Sequence, residues 1–142
     1  MIKSITIDVP GQPVAKGRPR FTRGGFAYTP AKTARYEQRV RAAALRVMDG
    51  SPPLEGPIAL RLMFNMEVPK SWPKKKRADA FSGKVLPISR PDIDNICKCV
   101  IDGLNGVLFK DDSQITDLIA SKRYGVPCVK VIASRIEGSP PA

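Results

Sequence analysis

The chain has 142 residues, with 24 Lys+Arg against 13 Asp+Glu, no histidine and a formal net charge of +11. That length suits one domain with a modest core, so residues 1–136 are expected to form one unit and 137–142 a disordered tail. The missing histidine excludes Ser-His-Asp and Cys-His catalysis and His-ligated zinc; no run reaches the roughly 18 apolar residues of a membrane span and the N-terminus lacks a signal-peptide core, so a cytoplasmic protein with no membrane partner is expected.

Ile5, Ile7 and Val9 alternate with polar neighbours and read as a first strand, ended by Gly11-Gln12-Pro13. The stretch from Lys16 to Tyr28 reads as a hairpin turning at Gly24-Gly25. Pro30 opens a helix to about Met48, with Tyr36, Val40, Ala43, Ala44 and Val47 on its apolar face and Lys32, Arg35, Arg39 and Arg46 on the rest. Ile58, Leu60, Leu62, Phe64, Met66 and Val68 alternate without a break and predict a long central strand. Pro69 to Arg77 predicts an exposed, mobile crossing that leads into a short helical piece before Gly83.

Pro91 opens a second main helix, with Ile93, Ile96, Cys97, Val100 and Leu104 as its apolar face and Asn105-Gly106 as its end. Val107, Leu108 and Phe109 then lead to Lys110-Asp111-Asp112-Ser113, and a strand starting there is expected to return antiparallel beside the helix N-terminus. Two further strand-like runs, Gln114–Tyr124 and Cys128–Ser134, flank Gly125-Val126-Pro127. The three cysteines, an odd number, argue against a disulfide framework, and nothing completes a zinc site around Cys97 and Cys99, which suit packing.

Charge is unevenly distributed. Residues 1–46 carry ten Lys/Arg against Asp8 and Glu37, while six of the thirteen acids lie between Asp92 and Asp117. Basic surfaces around an acidic pocket suit a polyanionic partner, and nucleic acid is the expected one.

Asp92 and Asp94 follow Pro91 at a helix start. Taken alone they have an ordinary explanation: Asp92 caps the helix and Asp94 pairs with Lys98 one turn on. Asp94, Lys98 and Asp102 nevertheless share one stripe, and Asp111-Asp112 follows about ten residues later, so three or four carboxylates could converge. Such a cluster is tolerated when a cation sits between the charges. Carboxylates and water suit Mg²⁺, which can activate a water and stabilise the leaving oxygen of a phosphodiester. Lys98 then has a second possible task, offsetting charge on the phosphate.

Pro91-Asp92-Ile93-Asp94-Asn95-Ile96-Cys97-Lys98, Asp102-Gly103-Leu104-Asn105-Gly106 and Lys110-Asp111-Asp112-Ser113-Gln114-Ile115 strongly resemble the signature of the RusA family, endodeoxyribonucleases that resolve Holliday junctions and are common in prophages. Gly11-Gln12-Pro13 with Lys16-Gly17-Arg18-Pro19-Arg20-Phe21 resembles the N-terminal motif of its phage branch. The resemblance spans roughly residues 5–134. It implies an α+β fold in a single domain, with a mixed, mainly antiparallel sheet and two main helices. It also implies a homodimer acting on four-way DNA junctions in recombination and repair, with Mg²⁺ (and Mn²⁺ as a substitute) at each site. The family's metal-binding and catalytic aspartates fall on Asp92, Asp94 and Asp112, its essential lysine falls on Lys98, and Asp111 stands beside the ligand as a possible auxiliary.

Lys16, Arg18, Arg20 and Arg23 around a glycine are expected to hold phosphates. Lys74, Lys75 and Lys76 beside Trp72 are expected to grip backbone next to a stacked base. Two other readings remain open at this point: a DNA-binding module without catalysis, and a nuclease for other DNA or RNA structures.

Overall fold

The computed structural model describes residues 4–137. Of the tail expected over residues 137–142, all but Glu137 lies outside the described residues. Four strands form the main sheet: β1 (Ser4–Pro10), a long β4 (Ile58–Met66), β5 (Ile115–Tyr124) and β6 (Cys128–Arg135), with β2 (Arg20–Phe21) and β3 (Ala27–Tyr28) as a separate small hairpin. The helices are α1 (Ala31–Met48), α2 (Lys74–Phe81) and α3 (Ile93–Leu104).

The sheet order is β1-β6-β4-β5. β6 runs antiparallel to both β1 and β4, whereas β4 and β5 are parallel. The fold is therefore α+β with a mixed, mainly antiparallel sheet. The one parallel pair needs a crossover between its strands, and α2 and α3 lie in that connection.

Strand alternation decides which face is buried. Ile7 and Val9 of β1, the even-numbered residues Ile58 to Met66 of β4, and Val129, Val131 and Ala133 of β6 all join one core. Val40 and Ala44 of α1 and Ile96, Cys99, Val100 and Leu104 of α3 close it from above. The reverse face stays partly open, carrying exposed Arg61 and Lys130. The two helices cross closely at Gly103, where an added Cβ would lie 2.8 Å from both the Glu37 carbonyl oxygen and the Val40 Cβ. That approach accounts for a glycine inside a helix, where it is otherwise unfavourable.

Several expectations change in detail. Val47 is exposed, and Thr33 and Met48 complete the buried face of α1. Ile93 is 37% exposed, because it stands at the first position of α3, beyond the sheet's cover. The basic run Lys74–Arg77 is itself the first turn of α2 rather than part of an irregular crossing. Val107, Leu108 and Phe109 form a buried turn, not a strand; the Leu108 carbonyl accepts from the Leu54 N–H, which plugs this turn into the core. The strand that returns alongside α3 is β5, and it starts only at Ile115.

Candidate active site

The first turn of α3 carries the expected carboxylates. Asp92 occupies the N-cap position with extended backbone, yet its side chain makes no capping hydrogen bond. Asp94 lies one step inside the helix, and no ion pair joins it to Lys98. Both ordinary explanations of these residues are thus unrealised among the described residues. Asp92, Asp94, Lys98 and Asp112 are all exposed.

Asp112 is brought to the site by a tight local device. Asp111 accepts a hydrogen bond from the Ser113 N–H at 3.1 Å and caps a short 3-10 turn over Asp112–Gln114. Gln114 answers through Oε1, which accepts from the Lys110 and Asp111 N–H groups at 2.9 and 3.1 Å. Its Nε2 donates to the carbonyls of Leu54 and Gly56, tying the turn to the body of the protein. Hydrogen bonds from Ser113 hold the Asp111 carboxyl below its usual pKa. Asp111 therefore caps the turn through one carboxylate oxygen, and its side chain stays exposed beside Asp112. An Asp-x-x-Gln spacing is a capping-box pattern, so Gln114 was detectable in the sequence and was missed.

Asp94, Lys98, Asp102 and Asp112 line one cleft of about 390 Å³, whose apolar wall includes Ile93, Ile101 and Leu118. Asp92 and Asn95 face an adjoining cleft of about 580 Å³, together with Arg18, Lys32 and Arg90. The structure thus brings Asp94, Lys98 and Asp112 together, with Asp92 on the neighbouring side of the helix start. Among the described residues no three acidic or thiol side chains are grouped closely enough to hold a metal ion.

The N-terminal basic motif is fastened to this region. The Lys16 N–H donates to the Asn95 carbonyl at 3.1 Å, and the Gly17 N–H donates to Thr33 Oγ1 at 3.0 Å. The Lys16 ammonium is not directed outward: it pairs with Glu37 at 2.6 Å and Asp102 at 2.8 Å. Partial burial lowers its pKa, but the bonds to Asp102 and Glu37 outweigh that and hold it above the usual lysine value. Lys16 was expected on a phosphate; here its charge is already neutralised. Arg18, Arg20 and Arg23 remain exposed. Lys74, Lys75 and Lys76 are exposed on α2, and the Lys76 ammonium sits 3.9 Å from the centre of the Trp72 ring, which packs edge-on against Tyr124.

Two further contributors carried no usable signal in the sequence. Lys122 on β5 donates to the carbonyls of Ser89 and Pro91, both at 2.9 Å, so it grips the segment that delivers Asp92. Arg90 enters the second cleft from the same segment. Cys97 and Cys99 belong to the core; burial first, then the charge of Asp94, pushes the Cys97 thiol up to about 11, and burial with Glu37 pushes Cys99 to about 12. Neither is a thiolate at neutral pH.

A small α+β domain carrying carboxylates and a lysine in one cleft and arginines in the next has the chemical inventory of a phosphodiester-handling protein. Residues 10–133 match the family described as Endodeoxyribonuclease RusA, and the chain belongs to that family of endodeoxyribonucleases. It is also similar to an uncharacterized protein of Bacillus subtilis (strain 168), YqaN, at 37% identity over 138 residues, which cover 93% of this chain and 96% of that relative. No helix among the described residues is long and apolar enough to cross a membrane.

Proposed function

We propose that the protein is a cytoplasmic, Mg²⁺-dependent endonuclease that cuts Holliday junctions as a homodimer, in DNA recombination and repair. The observation that carries this reading is that, among the described residues, the site acids Asp92, Asp94 and Asp112 neither cap a helix through their side chains nor form an ion pair. Asp92 leaves the helix uncapped, Asp94 leaves Lys98 unpaired, and Asp112 projects from a turn capped by its neighbour. Unpaired like charges near one another raise the folding free energy unless something binds there.

The donor set fits a hard cation. Mg²⁺ needs only one or two carboxylates, completing its shell with water and substrate phosphate. Asp94 and Asp112 share a cleft and are the pair assigned to it, with Asp92 contributing from the adjoining side. When bound, the ion supplies Lewis acidity for hydrolysis of the phosphodiester. Lys98, in the same cleft, offsets charge that builds on the phosphate. Arg18, Lys32 and Arg90 hold the flanking backbone in the second cleft.

A synthetic four-way junction and a linear duplex of matched sequence, each incubated with Mg²⁺, Mn²⁺ or EDTA, test the reading. Paired cuts in the junction with either metal, none with EDTA and little on the duplex are expected. Tight junction binding without any cleavage would leave a binding module, and equal cutting of both substrates would remove the junction preference.

A further inference from the structure

β5 is one of the two edge strands of the main sheet, opposite β1, and at ten residues it is the longest strand among the described residues. Among the described residues its only backbone ladder is with β4. At its start the Ile115 N–H also closes the 3-10 turn on the Asp112 carbonyl. Edge strands of this length are normally shortened, bulged or covered, because they template pairing with another chain. This one shifts register only at its start, where Thr116 is passed over between Ile115 and Asp117, and beyond that it exposes Leu118 at 48% and Ile119 at 62%.

We infer that the β5 edge is where a second copy of this chain docks, the two β5 strands pairing antiparallel across a two-fold axis centred on Ala120. The inference rests on the homodimer proposed above and specifies its surface. An antiparallel pair of identical strands has its two-fold axis perpendicular to the sheet, so only residues of equal parity stand opposite one another. With Ala120 facing Ala120, Asp117 faces Arg123 of the other copy, twice by symmetry. The two Ile119 side chains become diagonal neighbours on the same face. The alternative centre at Ile119 sets Asp117 against Ser121 and leaves both charges unmatched. Asp117 and Arg123 are exposed, and neither has an acidic or basic partner among the described residues. Charges on an edge strand usually discourage pairing; these two have opposite sign and stand at equal distance from Ala120, so they favour this pairing over a foreign strand.

The arrangement has a consequence for the active sites. A perpendicular two-fold axis keeps the helix-bearing faces of both sheets on one side. Leu118 lines the acidic cleft beside α3, so the two clefts flank the shared β5 pair and open toward the same side. Two matched cuts in one symmetric junction need that placement.

A charge swap tests the register. Wild type, Asp117→Arg, Arg123→Asp and the double variant Asp117→Arg/Arg123→Asp are compared by sedimentation over a concentration series, with circular dichroism to check folding. Each single change sets like charges opposite each other at two symmetric positions and is expected to weaken dimerisation roughly tenfold or more. The double variant is expected to regain the wild-type mass. Ile119→Lys, at an exposed position, is expected to weaken the dimer independently of the swap. Single variants that stay as dimeric as wild type, or a double variant no better than the singles, would overturn this interface while leaving a dimer formed elsewhere. A wild-type protein that is monomeric at every concentration would overturn the dimer itself, and junction cleavage by that monomer would show that the nuclease reading survives without it.

Discussion

Asp94 sits in the first turn of α3, close to the positive end of the helix dipole, without an ion-pair partner among the described residues. Asp94→Asn keeps the volume and removes the charge. It is expected to cut junction cleavage about a hundredfold or more, on the scale of removing one electrostatic interaction with a transition state. Junction binding by gel shift should be retained, and thermal stability should hold or rise because repulsion near Asp92 and Asp112 falls. An active Asp94→Asn protein would remove this residue from the chemistry. Lys122 acts through others. Its two bonds to the Ser89 and Pro91 carbonyls fix the backbone just before Asp92. Lys122→Met keeps the aliphatic stem and is expected to cost about 1.5–3 kcal/mol of stability in denaturant unfolding, the range for hydrogen bonds to a charged group. Its cleavage rate should fall by a larger factor than its junction affinity. Equal losses would mark Lys122 as a structural prop only.

At the scale of elements, Lys16 joins three parts of the fold: its own segment, α1 through Glu37, and α3 through Asp102. Lys16→Met strands two carboxylates beside each other and is expected to destabilise by about 1–3 kcal/mol. The pH dependence has a definite sign. A lysine pKa raised in the folded state gives stability that is full below the unfolded value of 10.5 and is lost as pH rises through the folded value. Wild type should therefore lose this increment above pH 10.5, and Lys16→Met should show a shallower alkaline decline in urea midpoints. The same residue shows how far the sequence can be read. β4 and both main helices announced themselves, since one face of each alternates or recurs with the period of its element. The partners of Lys16 did not, because an ammonium near Gly17 and Arg18 looks the same whether it meets a phosphate or two acids 21 and 86 positions away. Asp92, Asp94, Lys98 and Asp112 were legible because they stand in compact spacings. The grip of Lys122 was not, because a strand lysine gives no sign of which loop passes beneath it.

Across the whole molecule, the net charge of +11 means little until it is located. α1 starts at the second cleft, where Lys32 joins Arg18 and Arg90, and it ends about 27 Å away at 1.5 Å per residue. Arg18 lines the cleft and Arg20 follows it two residues on in the small hairpin, the segment before them pinned by the Lys16–Asn95 and Gly17–Thr33 hydrogen bonds. Arg46 lies in the last turn of α1, toward the far end. If DNA runs along the clefts, only the first two arginines release counterions on binding. Junction affinity of wild type should then fall steeply and linearly on a log–log plot against salt. Arg18→Gln/Arg20→Gln should weaken binding most at low salt and flatten the slope by about 1–2 units, close to one for each phosphate no longer neutralised. Arg46→Gln removes one of the same charges yet should leave the slope as it was. Fluorescence anisotropy with a labelled four-way junction at a series of salt concentrations, in EDTA to prevent cleavage, measures all three proteins. Equal flattening by Arg46→Gln would mean that the total charge, and not the cationic end of the clefts, draws in the DNA; an unchanged slope in the double variant would move the phosphate-binding role elsewhere, with exposed Lys74, Lys75 and Lys76 on α2 the next residues to neutralise.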